Sequence, residues 1–229
     1  GVLEIHRPAL AVGDAAVIQH LQKDVEHVGM SFFNLVILMM APLGEIVVSA
    51  QQVAINVSGI IFMLPLSFGI AGSIRAAYHV GARRSREFDA MLRTLLLVAY
   101  ALVSLFMLLT VLLRRDIVGL YTDSPEIIDL ASVLLIYCAI YQIADATQVL
   151  MSGLLRGCHD TAIITWSNIS SYLIVGLPLA YLLIRTDYIV PAMGAPGAWV
   201  SFIVALPLTA IILTCRFLYT RRRLFHTPS

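Results

Sequence analysis

The sequence predicts an all-α, polytopic membrane protein with six transmembrane helices, and three observations predict it. The chain is 59% hydrophobic and only 13% charged, with a mean hydropathy of +0.88. An ordinary soluble domain carries about 25% charged residues, so lipid is the main solvent here. Beyond residue 26 the apolar residues gather into six runs, most of them near the ~20 residues a helix needs to cross a bilayer. The connections between runs are short, so neighbours in sequence should be antiparallel neighbours in space.

Residues 1–26 hold an apolar patch at Ala9–Ile18, interrupted by Gly13 and Asp14 and too short to span a bilayer. A surface helix or linker is expected there, followed by a membrane lobe over 27–220 and a basic cytoplasmic tail over 221–229. The first run, His27–Gly44, is short for a span. The others are Val47–Ser73, Met91–Leu113, Ile127–Leu155, Thr161–Ile184 and Gly197–Tyr219. Pro65 in the second and Pro178 in the fifth fit either a gating kink or a static bend. Gly153 and Gly157 form a GxxxG, a spacing that permits close helix contact but carries little weight as a single copy in an apolar chain.

Arginine and lysine set the expected topology. If the first span runs outward, the inner side holds Arg7, Lys23, Arg75, Arg83, Arg84, Arg86, Arg93, Arg156, Arg216 and Arg221–Arg223. The outer side then holds Arg114, Arg115 and Arg185. The positive-inside rule places both ends in the cytoplasm. A net charge of +1, with no basic domain, argues against nucleic acid as a partner. Cys138, Cys158 and Cys215 have no metal-like spacing, and no Walker A motif or hydrolytic set is present. No enzyme, cofactor or metal centre is expected, and any uphill work must draw on an ion gradient or a partner.

The fourth run breaks its own apolar rule with Tyr141, Gln142, Asp145, Thr147 and Gln148. A carboxylate at a helix centre costs about 2.5–3.5 kcal/mol on insertion scales, so Asp145 needs an internal polar or wet site. Tyr141 lies one helical turn before it, and Gln148 three residues after it. Such a set can hold a hard cation by oxygen ligation. Alternatively the carboxylate can take a proton, since burial disfavours its charge. A hydrogen-bonded structural Asp is the rival reading, but ionisable residues inside a membrane are functional by default. The second run carries Gln52, Asn56 and Ser58 near its outer end; Gln52 and Asn56 are four apart on one face, where they can act as interhelical glue or contact a ligand. Phe62 lies near the same face. Asp129 fits helix capping at the outer interface.

Several stretches together resemble a known family: SAQQVAINVSGIIFMLPLSFGIAGSIRAAYHVGARR (Ser49–Arg84), LYTDSPEII (Leu120–Ile128), IYQIADATQVLMSGLLRGCHDT (Ile140–Thr161), GLPLAYLL (Gly176–Leu183) and MGAPGAWVSF (Met193–Phe202). They are similar to the C-terminal half of a MATE (multidrug and toxic compound extrusion) transporter of the NorM-like branch, collinear over about Pro42 to Arg216. The resemblance implies one six-helix lobe of a twelve-helix transporter in the inner membrane, exporting cationic organic molecules against sodium or proton entry. It implies Asp145 and Tyr141 as cation-binding residues, and Gln52, Asn56 and Phe62 as lining for the drug cavity. A Glu in the family's first span of this lobe falls at Gly29, where no acid stands; Glu26 is one turn away and Asn34 further in. The opening at Gly1 and the single lobe lead to the expectation that an N-terminal six-helix lobe is missing from this chain. Two rivals are a related lipid-linked oligosaccharide flippase, which should show several inward arginines, and a non-transporting membrane scaffold.

Overall fold

The computed structural model describes residues 34–36, 38, 40–185 and 195–226. Regular structure among them is entirely helical. The helices are α1 (Glu45–Gly81), α2 (Ser85–Leu112), the short α3 (Arg114–Gly119), α4 (Pro125–Gly157), α5 (Ala162–Ile169), α6 (Leu177–Arg185) and α7 (Ala195–His226). A π-helical stretch, Ser170–Gly176, joins α5 to α6. Five stretches are long and apolar enough to cross a membrane: Glu45–Gly81, Ser85–Leu112, Pro125–Gly157, Ala162–Ile184 and Pro196–Phe225. Only part of the expected first span falls among the described residues, with Asn34–Val36, Leu38 and Met40 helical. Residues 1–26 and position 29 lie outside them.

Local chemistry explains most boundaries. Gly44 takes φ 104°, a left-handed conformation open to glycine, and α1 starts directly after it with Glu45 in the favoured first turn. Pro125 opens α4 at the position where its fixed φ suits a helix and its missing N–H costs nothing. His159, at φ 58°, stops that helix. Pro178 is the second residue of α6, and the widened turns just before it are one way a membrane helix re-satisfies the backbone groups that a proline frees. The third-to-fourth connection, read from sequence as a loop, contains α3. Its six residues are too few for periodicity to show, and Val118 buries fully against the core around α4.

α4 runs through the centre, packed against α1 along one side and α7 along another. It passes through two apolar clusters. In the first, Leu134, Leu135, Cys138 and Tyr141 meet Val57 and Ile61 of α1 and Trp199, Phe202 and Leu206 of α7. In the second, Met151, Leu154 and Leu155 meet Ala76, Phe88, Leu213 and Phe217. Gln142, Asp145 and Gln148 fall between the two. The α1–α4 crossing is close enough that a Cβ on Gly153 would stand 2.2 Å from the Gly69 carbonyl oxygen, and one on Gly157 2.4 Å from that of Ser73. The GxxxG is therefore a helix contact in earnest. On α2, Leu97, Leu105, Leu108 and Leu112 are left uncovered, as befits a face against acyl chains.

Polar ties gather at the end where α4 and α7 finish. Arg216 donates from Nε (2.6 Å) and Nη2 (3.1 Å) to the Asp160 carboxylate, and the Thr220 hydroxyl adds a third bond at 2.5 Å. Arg221, which lies on α7, reaches Asp89 at 2.7 Å. Burial pushes the Asp160 carboxyl up, but the hydrogen bonds from Arg216 and Thr220 and the charges of Arg216 and Arg223 outweigh it. The group sits below its ordinary value. Its stabilisation is therefore complete above the unfolded carboxylate value of about 3.9 and is lost as pH falls through the lower folded one. We expect Asp160→Asn to cost about 1–2 kcal/mol near neutral pH. The difference in thermal midpoint from wild type should shrink as pH drops below about 4; a gap unchanged by acid would contradict this account.

Candidate functional site

Tyr141 is buried, and its ring lies 5.5 Å from that of Trp199, tilted by 50°. Its hydroxyl shares a hydrogen bond with the Ser58 hydroxyl of α1. Trp199 in turn donates from Nε1 to Gln51 Oε1 at 2.7 Å. α1 and α7 thus hold Tyr141 of α4 from two sides, and its position is set by packing more than by its own rotamer freedom.

One turn on, half-buried Asp145 lines a small cavity with Gln142 of α4, Ser58, Ile61, Phe62 and Pro65 of α1, and Val103 of α2. The cavity has about 10 Å³ of space open to a water-sized body, roughly what one water or one bare ion needs and far less than a drug-sized molecule needs. The ion pairs among the described residues all lie elsewhere, and none involves Asp145. No arginine stands in the cavity wall.

Of the residues singled out from sequence, Asp145 and Phe62 meet in this wall. Tyr141 does not line it and connects through Ser58. Gln52 and Asn56 are both exposed, and Gln52 Nε2 donates to Asn56 Oδ1 at 3.2 Å. They share one face, as their spacing requires, but stand apart from the cavity. Gln148 departs from expectation. Its Nε2 donates to Asn168 Oδ1 (3.1 Å) and to the Tyr172 hydroxyl oxygen (2.7 Å), on the next membrane-crossing stretch. The amide that lines the cavity with Asp145 is that of Gln142. The reason is that α4 is enclosed by several helices, so side chains only a turn apart meet different neighbours. Asp129 pairs with Arg115 of α3, both well exposed, a contact that carries little stability.

Sequence reasoning noticed Ser58 and Gln142 as polar residues in apolar runs but gave neither a role at the site. The donor set they complete is all oxygen: a carboxylate, an amide carbonyl and a hydroxyl. Such donors suit a hard cation. Among the described residues no cluster of three or more His, Cys, Asp or Glu gathers to hold a metal, and all three cysteines are free thiols.

Residues 28–182 match the MatE family model. The chain is 40% identical over 194 residues to "Multidrug resistance protein MdtK" of Proteus mirabilis, covering 85% of this chain and 42% of that protein. It is 41% identical over 197 residues to "Probable multidrug resistance protein NorM" of Shewanella oneidensis, covering 86% and 43%. The chain therefore spans less than half the length of these curated relatives. Among solved structures, an outward-facing multidrug resistance MATE family transporter of the MOP superfamily superposes with a TM-score of 0.78 at 16% identity, covering 98% of this chain and 49% of that one. The eukaryotic MATE transporter AtDTX14 does so at 0.73 and 22% identity, covering 85% and 44%. The likeness of sequence over most of the chain and the shared helical architecture agree: this multi-pass membrane protein belongs to the MATE family.

Proposed function

We propose that the chain forms the C-terminal lobe of an exporter of organic cations driven by entry of Na+ or H+ across the inner membrane, with both ends cytoplasmic. The observation that carries this is Asp145. It stands between two apolar clusters, in an ion-sized cavity, with no ion pair to any described residue. A charge in that position is costly. A cation that arrives there neutralises it and favours whichever arrangement of the helices binds the cation better. Tyr141, clamped by Ser58 and Trp199, steadies α4 next to the cavity. Gln52 and Asn56, exposed on α1, and Phe62 in the cavity wall would contact the organic cation once an N-terminal lobe closes over this face. The flippase alternative expects inward arginines, and none lines this cavity among the described residues.

The test follows a fluorescent organic cation in cells producing the protein in its full natural length. Efflux should stop when ionophores collapse both the sodium and proton gradients, and should survive ATP depletion while those gradients are held. Efflux that persists without either gradient would overturn ion coupling.

A further inference from the structure

Gln142 is one of the few buried polar groups among the described residues that the packing leaves without a hydrogen-bond partner. Its side chain is only 5% exposed, yet its Oε1 has no hydrogen-bond partner among the described residues. Its Nε2 has only a long contact to Cys138 Sγ at 3.9 Å. Leaving such an acceptor unpaired in a buried place is costly. The same residue lines the cavity together with Asp145 and Ser58. From this juxtaposition we infer that Gln142 is a cation ligand, and that its carbonyl oxygen selects a sodium-like ion over a proton at Asp145. This inference rests on the reading of Asp145 as the coupling carboxylate.

The chemistry distinguishes the two ions. A proton needs one basic oxygen, and Asp145 supplies it alone; an amide carbonyl is too weak a base to compete near neutral pH. A small metal cation sheds water and needs several oxygens in return. A neutral amide oxygen and a hydroxyl beside one carboxylate offer them without adding a second negative charge. Gln142 is thus a specificity-determining residue, placed three positions before Asp145 on the same helix.

Equilibrium binding of radiolabelled sodium to the purified full-length protein in detergent tests the assignment. Gln142→Met keeps the length of the side chain and removes the oxygen. It should weaken sodium binding about tenfold or more, with a thermal midpoint at or above wild type because an unpaired buried acceptor is gone. Gln142→Asn, which retains an amide one methylene shorter, should fall between the two. Unchanged sodium binding in Gln142→Met, with binding lost in Asp145→Asn, would overturn the role of Gln142 and leave the coupling carboxylate standing. Sodium binding that survives Asp145→Asn would overturn both. A wild-type protein that binds no sodium would overturn the selectivity and leave proton coupling at Asp145.

Discussion

Asp145→Asn is expected to bring gradient-driven efflux down toward background, at least about tenfold, while the protein still inserts and accumulates normally. The two side chains are nearly the same shape, so packing around the cavity is preserved and only the charge is lost. Stability tells the functional role from a structural one. A carboxylate kept for its hydrogen bonds would leave partners unsatisfied when replaced, and the protein would be weakened. No ion pair holds Asp145 among the described residues, so its charge is a standing cost of about 2.5–3.5 kcal/mol on insertion scales. Its removal should leave the thermal midpoint unchanged or raise it. Lost efflux with preserved stability supports a coupling carboxylate. Retained efflux with a lowered midpoint would instead favour the membrane scaffold.

Gly153→Leu should prevent accumulation of a monodisperse protein, and Gly153→Ala should already be severe. The new Cβ would meet the oxygen, carbonyl carbon and Cα of Gly69 at 2.2, 2.7 and 2.9 Å. All three are backbone atoms of a packed helix, so relief requires α1 and α4 to separate. Overpacking of a core commonly costs about 1–3 kcal/mol, and a backbone clash at the central crossing belongs above that range. Gly59, on the same α1, offers an internal control because a Cβ there meets nothing within 4 Å. Gly59→Ala should be neutral or gain up to about 1 kcal/mol from helix propensity. Size-exclusion profiles of fluorescently tagged variants would show the contrast, and equal profiles for Gly153→Ala and Gly59→Ala would refute the close crossing as a requirement for folding.

The separation of α1 and α4 matters to the cavity as well as to stability. Pro65, Phe62 and Ser58 on α1 face Gln142 and Asp145 on α4 across it, and the glycine contact lies on the adjoining stretch of both helices. Motion of one helix against the other there would change the spacing of the oxygen donors. The single GxxxG was a weak sign in sequence because its partner surface, Gly69 and Ser73, lies some eighty residues away along the chain, and nothing local pairs the two.

Membrane residence, helical class and the oddity of Asp145 could all be read from the residues, because hydropathy and the cost of a charge in hydrocarbon are properties of a segment and its solvent. The later spans could be located for the same reason, but not their ends: α1 runs on to Gly81 and α2 begins at Ser85, beyond the apolar runs Val47–Ser73 and Met91–Leu113. The company each polar residue keeps could not be read that way. Spacing put Gln148 with Asp145, whereas packing turns Gln148 to Asn168 and Tyr172 and leaves Gln142 at the cavity. Helical periodicity says which residues of α4 share a face, but α4 is enclosed by several helices, and only their arrangement in space says what each face meets.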